Sequence, residues 1–125
     1  MSDKKSIAIL GSTGSIGTQA LEVVAAHPDS FQVEVLTAQN NADLLIEQAK
    51  KFNPNAVVIV NEDSYAKVKD ALLPLNIKVF AGVNALNTVV QMDSIDLVLT
   101  ALVGYSGLTP TLKAIEAGKN IALAN

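Results

Sequence analysis

A chain of 125 residues suits one domain, and with 50% of them apolar it has ample material for a packed core, which excludes a disordered chain. The net charge is −3 at pH 7, Lys and Arg are not clustered, and only 4% of residues are aromatic, so nucleic acid is a poor partner. The absence of cysteine removes disulfides and thiolate metal sites, and no apolar run approaches the roughly 18 residues that span a bilayer, so a cytoplasmic protein with no membrane partner is expected.

Lys5 to Leu10 is a short run apolar on both faces, the pattern of a central parallel strand. It breaks into Gly11-Ser12-Thr13-Gly14-Ser15-Ile16-Gly17, which reads as a tight turn and a helix start. Gly11 can take backbone angles closed to other residues, Gly14 lacks a Cβ and lets a phosphate approach the main chain, and Gly17 lets the helix pack closely on the strand. The N–H groups of that first helical turn then face an anion. The spacing departs from the commonest dinucleotide-binding G-x-G-x-x-G, but its place directly after a hydrophobic strand favours a nucleotide site over a merely tight turn. The hydroxyls of Ser12, Thr13 and Ser15 have no accompanying base, so they read as hydrogen-bond donors to the ligand rather than nucleophiles.

Ser15 to His27 is a helix with Ile16, Ala20, Leu21, Val23 and Val24 as its apolar stripe, stopped by Pro28. His27 sits in the last turn among the helix-end carbonyls, with no Ser, Cys or second His to give it catalytic or metal work. Phe31 to Ala38 alternates Phe31, Val33 and Val35 with Gln32, Glu34 and Leu36, a strand with one face less buried, on which Glu34 reads as a surface residue. It ends at Gln39-Asn40-Asn41. Asn41 caps a helix from Ala42 to Phe52, where Leu44, Leu45, Gln48 and Ala49 fall at helical spacing.

After the Asn53-Pro54-Asn55 turn come a strand from Ala56 to Val60, a helix from Tyr65 to Leu73 closed by Pro74, and a strand from Ile77 to Ala81. A short helix from Asn84 to Met92 and a strand from Asp96 to Leu102 follow, with Asp93 and Asp96 as turn and cap residues. Val103-Gly104-Tyr105-Ser106-Gly107 is a second glycine-containing loop. Thr109 as N-cap and Pro110 as first helical residue open a helix to Ala117, Gly118 caps it, and Asn120 to Ala124 is a last strand before Asn125.

This alternation predicts an α/β fold, a doubly wound (Rossmann-type) parallel sheet of about six strands with helices on both faces. Such sheets hold ligands beyond the carboxyl ends of the strands, where strand order reverses. Gly11 to Gly17, Gln39 to Asn41, the Gly104 loop and Asn125 then share one edge, which makes the ligand a dinucleotide. An NAD site usually places Asp or Glu at the end of the second strand, and here Gln39, Asn40 and Asn41 stand there. NADP is therefore permitted, with two Asn amides as donors to a 2′-phosphate, though no Lys or Arg in the loop enforces it. The sequence halts after a strand on the ligand side, so a fragment lacking a substrate domain is expected.

Ile9-Leu10-Gly11-Ser12-Thr13-Gly14-Ser15-Ile16-Gly17, Ala101-Leu102-Val103-Gly104-Tyr105-Ser106-Gly107-Leu108, the helix Pro110 to Lys119 and the closing Leu123-Ala124-Asn125 together resemble the N-terminal domain of the 1-deoxy-D-xylulose 5-phosphate reductoisomerase family. The resemblance covers essentially the whole chain. It implies NADPH-dependent rearrangement and reduction of 1-deoxy-D-xylulose 5-phosphate to 2-C-methyl-D-erythritol 4-phosphate, in the non-mevalonate route to isoprenoids, by a full-length homodimer using a divalent metal, Mg or Mn. In the family, the turn matching Thr13, Gly14, Ser15 and Ile16 holds the cofactor pyrophosphate, the loop matching Gln39 to Asn41 meets the adenosine end, and the position of Asn125 lies near the nicotinamide. That loop commonly reads Gly-Lys-Asn, so Gln39 and Asn40 depart from it while Asn41 keeps the pattern. The metal carboxylates and the residues for the substrate phosphate belong to a catalytic domain beyond this chain, so no catalytic residue is expected within it. Two other readings are a semialdehyde-type NADP-dependent dehydrogenase, with a catalytic Cys downstream, and a dinucleotide-sensing module without catalysis.

Overall fold

The computed structural model describes residues 4–102 and 108–123. Strands and helices alternate: β1 (Lys5–Leu10), α1 (Ser15–Ala26), β2 (Phe31–Ala38), α2 (Ala42–Phe52), β3 (Ala56–Ile59), α3 (Tyr65–Leu72), β4 (Lys78–Ala81), α4 (Val83–Val89), β5 (Leu97–Thr100), α5 (Leu108–Glu116) and β6 (Asn120–Leu123). The sheet runs in the order β4-β3-β2-β1-β5-β6, and each neighbouring pair is parallel. From β1 the chain steps outward through β2 and β3 to β4, then returns across the sheet to lay β5 on the other side of β1. Strand order therefore reverses between β1 and β5.

Right-handed crossovers dictate the layers, because the two directions of travel put their helices on opposite faces. One core packs Ile7, Ile9, Leu36, Val57 and Ile59 of the sheet against Leu21, Val24, Leu45, Ala49, Val68 and Leu72 of α1, α2 and α3. The other packs Ala8, Leu10, Val35, Val58 and Val98 against Leu86 and Val89 of α4 and Ala114 of α5. The expected doubly wound parallel sheet, with β1 buried at its centre, is the fold this chain adopts.

Three local expectations change. β2 is not half exposed: residues 33–38 are all buried. The pairing with β1 slips by one residue, Ile7 standing opposite Val33 and Ala8 opposite Val35. The slip leaves Glu34 as the extra residue of a bulge and moves Val35 to the second core while Val33 stays in the first, so simple alternation misassigns the faces. Glu34 is accordingly a buried residue, 7% exposed, whose Oε2 accepts a hydrogen bond from Asn55 Nδ2.

On α1, the buried face is Gly17, Leu21 and Val24, while Ile16 and Val23 of the expected stripe are 36% and 54% exposed. At α5 the helix opens at Leu108, placing Thr109 and Pro110 inside its first turn rather than at the cap and first position. Proline is tolerated there because N–H groups of a first turn have no intrahelical acceptor to lose.

Removing the donor to the buried Glu34 carboxylate tests whether the bulge needs it. Asn55→Ala is expected to lower stability by about 1 to 3 kcal/mol in urea unfolding, and an unchanged midpoint would show the pair to be idle.

Candidate functional site

The turn after β1 is built as its glycine spacing requires. Gly11 has φ +84°, and a side chain there would also crowd Leu102 Cδ2 at 3.1 Å and the Ala101 carbonyl oxygen at 3.2 Å. The end of β5 thus lies directly against the turn, and Ala101 N–H donates to the Leu10 carbonyl at 2.9 Å. At Gly17 a Cβ would overlap the Gly11 carbonyl oxygen and come within 2.6 Å of Ser12 Cα, so only glycine lets α1 approach. Gly14 differs from both. Its φ and ψ of −80° and 176° suit any residue, and among the described residues a Cβ would meet only the Gly11 carbonyl oxygen, at 3.7 Å. Packing of the described residues does not demand a glycine there and leaves the space over it open.

Gly14 is the N-cap of α1, no side chain caps this end, and no acidic residue stands in the first turn. The helix dipole and the first-turn N–H groups of Ser15, Ile16 and Gly17 therefore face that space with no anion among the described residues to answer them. Ser15 and Ile16 are exposed, and Thr13 is half-buried. The arrangement fits a phosphate group, with the missing Cβ of Gly14 admitting its oxygens to the main chain.

Ser12 is a correction. It is fully buried and serves the fold instead of offering its hydroxyl to a ligand. Its Oγ donates to Gln48 Oε1 at 2.8 Å and lies 3.2 Å from the Thr37 carbonyl oxygen. Gln48 Nε2 in turn donates to the Ser12 carbonyl at 2.9 Å. Thr37 completes the hold: its carbonyl accepts from Ser12 N–H at 2.8 Å and its Oγ1 from Gly11 N–H at 3.0 Å. Sequence reading misses both partners, although a signal exists. Gln48 is an amide on the apolar stripe of α2, and a buried amide must find partners.

Gln39, Asn40 and Asn41 follow β2 on the same edge, and all are exposed. Asn41 caps α2 as expected, its Oδ1 accepting from Leu44 N–H at 3.2 Å. The cap uses the amide oxygen and leaves Nδ2, a donor, on the other branch. Asn61 N–H donates to the Gln39 carbonyl at 2.9 Å, tying the loop to the end of β3. The structure thus brings the Gly11 to Gly17 turn and the Gln39 to Asn41 loop together across Thr37. Gly104 and Asn125 lie outside the described residues.

His27 is the C-cap of α1, the structural role expected of it, whereas Asp96, expected as a turn or cap residue, ties the start of β5 to β1, its Oδ2 accepting from Ser6 N–H at 2.9 Å. Surface cavities of about 480 and 500 Å³ open beside the strand starts near Glu34 and Asn55, away from the glycine turn. Among the described residues, no group of three or more His, Cys, Asp or Glu side chains comes together to hold a metal ion, and no helix is long and apolar enough to cross a membrane.

Residues 7–125 match the family model for 1-deoxy-D-xylulose 5-phosphate reductoisomerase. The chain is 61% identical over 122 residues to the 1-deoxy-D-xylulose 5-phosphate reductoisomerase of Phocaeicola vulgatus, covering 98% of this chain and 32% of that protein. Among solved structures, the Zymomonas mobilis reductoisomerase in complex with NADPH superposes with a TM-score of 0.92 at 36% identity, over 98% of this chain and 32% of the other. A reductoisomerase in complex with NADPH, fosmidomycin and magnesium gives a TM-score of 0.92 at 35% identity, over 97% and 30%. The chain therefore spans about a third of the length of these relatives. With the model match running from β1 to the last residue, the chain belongs to the 1-deoxy-D-xylulose 5-phosphate reductoisomerase family.

Proposed function

We propose that this chain binds NADPH across the carboxyl ends of β1 and β2, as the cofactor domain of an enzyme that rearranges and reduces 1-deoxy-D-xylulose 5-phosphate to 2-C-methyl-D-erythritol 4-phosphate. The observation that carries the reading is the space that the described residues leave open over Gly14, at a start of α1 that no side chain caps. Gly11 and Gly17 shape the turn, and Thr13, Gly14, Ser15 and Ile16 hold the pyrophosphate. Gln39, Asn40 and Asn41 meet the adenosine end, with the Asn41 amino group as a donor to the 2′-phosphate. Gly104 and Asn125 are assigned to the cofactor from the sequence resemblance alone. When bound, the cofactor supplies the hydride; these residues orient it and do no proton transfer.

In this reading residues 1–125 form the NADPH-binding domain, and the substrate phosphate, the divalent metal and the dimer contacts fall to the rest of a longer, homodimeric, cytoplasmic enzyme. A solved relative of which this chain covers 30% holds both NADPH and magnesium. The 125-residue chain is expected to turn over nothing, and reductoisomerase activity in it would overturn the assignment of catalysis elsewhere.

Thermal shifts with NADPH and NADH test the cofactor. At about 100 times its dissociation constant, NADPH should stabilise the chain by roughly 2.7 kcal/mol, a shift of several degrees. A smaller shift with NADH is expected from the absence of a carboxylate at Gln39 to Asn41; equal shifts would remove the 2′-phosphate preference.

A further inference from the structure

We infer that Gln48, a residue of α2 that meets the glycine turn only at the buried Ser12, is the positioning residue that holds the turn in its phosphate-receiving shape. The inference rests on the NADPH reading for its consequence, but its structural half stands on the hydrogen bonds alone. Gln48 is 7% exposed and Ser12 is fully buried, so their contacts form out of reach of competing water. The amide grips Ser12 at two points, taking the hydroxyl proton on Oε1 at 2.8 Å and giving an Nε2 proton to the main-chain carbonyl at 2.9 Å. Its orientation is forced, because a carbonyl oxygen can only accept and so must face the NH2 branch.

Ser12 is the hub of the turn's anchorage. It lies between Gly11, whose N–H is held by Thr37 Oγ1 at 3.0 Å, and the segment Thr13 to Gly17 that receives the phosphate. Thr37 fixes Ser12 from the strand side through its carbonyl at 2.8 Å, and Gln48 fixes it from the helix side. Without the second grip, Ser12 keeps its main-chain tie to β2, but its carbonyl and hydroxyl lose the contacts that set the peptide beyond it. The Gly14 space is then no longer pre-shaped, and phosphate binding must supply the ordering itself.

Gln48→Met keeps the volume and removes both hydrogen bonds. In the 125-residue chain it is expected to weaken NADPH about tenfold, while adenosine 2′-monophosphate, which meets the Asn41 loop but has no pyrophosphate, binds within about twofold of the unaltered chain. Amide hydrogen exchange at Gly14, whose N–H donates to the Gly11 carbonyl across the turn, should be faster in the variant with no ligand present. Unchanged NADPH affinity, or equal weakening of both ligands as general loosening would give, overturns the positioning role. If Gln48→Met does not fold, Ser12→Ala, which removes the hydroxyl held by Gln48 Oε1 and keeps the Nε2 bond to the residue 12 carbonyl, is expected to show the same split between the two ligands, and its absence overturns the role. If the unaltered chain binds no NADPH, the functional reading falls, and the exchange rates alone decide whether Gln48 braces the turn: faster upholds it, unchanged overturns it.

Discussion

Gly17→Ala should destabilise the protein by about 3 kcal/mol or more, lowering the thermal midpoint by about 10 °C. The added Cβ would overlap the Gly11 carbonyl oxygen and stand 2.6 Å from Ser12 Cα, and neither is a side-chain tip that can swing aside. Either α1 lifts from the turn, opening the core around Leu21 and Val24, or the turn deforms and breaks the contacts of Ser12 with Thr37 and Gln48. Both routes disturb buried groups, so the effect falls on folding before it falls on any ligand. Calorimetry or urea unfolding reads it directly, and a midpoint within about 2 °C of the unaltered chain would show that the close approach of α1 is dispensable.

Gly14→Ala should do the opposite. Its backbone angles suit alanine and, among the described residues, its Cβ would have only one neighbour, at an ordinary 3.7 Å. Stability should stay within about 1 kcal/mol of the unaltered chain, since the unfolded chain loses freedom while alanine caps the helix less well than glycine. The methyl group nevertheless occupies the space assigned to the pyrophosphate, and NADPH affinity should fall about 100-fold, roughly 2.7 kcal/mol. Fluorescence titration of the reduced nicotinamide measures it. The two glycines stand three residues apart in one turn and should separate cleanly, one failing in the fold and the other in binding. A Gly14→Ala chain that binds NADPH unchanged would remove the phosphate from this turn.

What the sequence makes legible here is what local chemistry determines. The apolar run of β1, the tight turn at Gly11, the close approach at Gly17 and the Asn41 cap each act within a few residues, and each stands in the structure as read. Compact apolar strands alternating with helices were enough for the doubly wound sheet. What escapes is set by distant pairings. The bulge that buries Glu34 depends on how β2 registers against β1, and no alternation within β2 announces it. The grip of Gln48 on Ser12 spans 36 residues, so the serine looks like a ligand donor until α2 is laid beside it. The opening of α5 fails for a different reason: Thr109-Pro110 is a fair start signal, but a first turn tolerates proline at more than one place, and Leu108 is already helical.

The most direct test is an NMR titration of the isotope-labelled 125-residue chain with NADPH, following each backbone amide. Saturable shifts concentrated at Gly11 to Gly17 and Gln39 to Asn41, with the turn responding to the pyrophosphate and the Asn41 loop to the adenosine end, are the expected result. Shifts centred on the opposite edge near Phe31, Asn53 and Asn55, or none at saturating NADPH, would contradict a cofactor site built on the glycine turn.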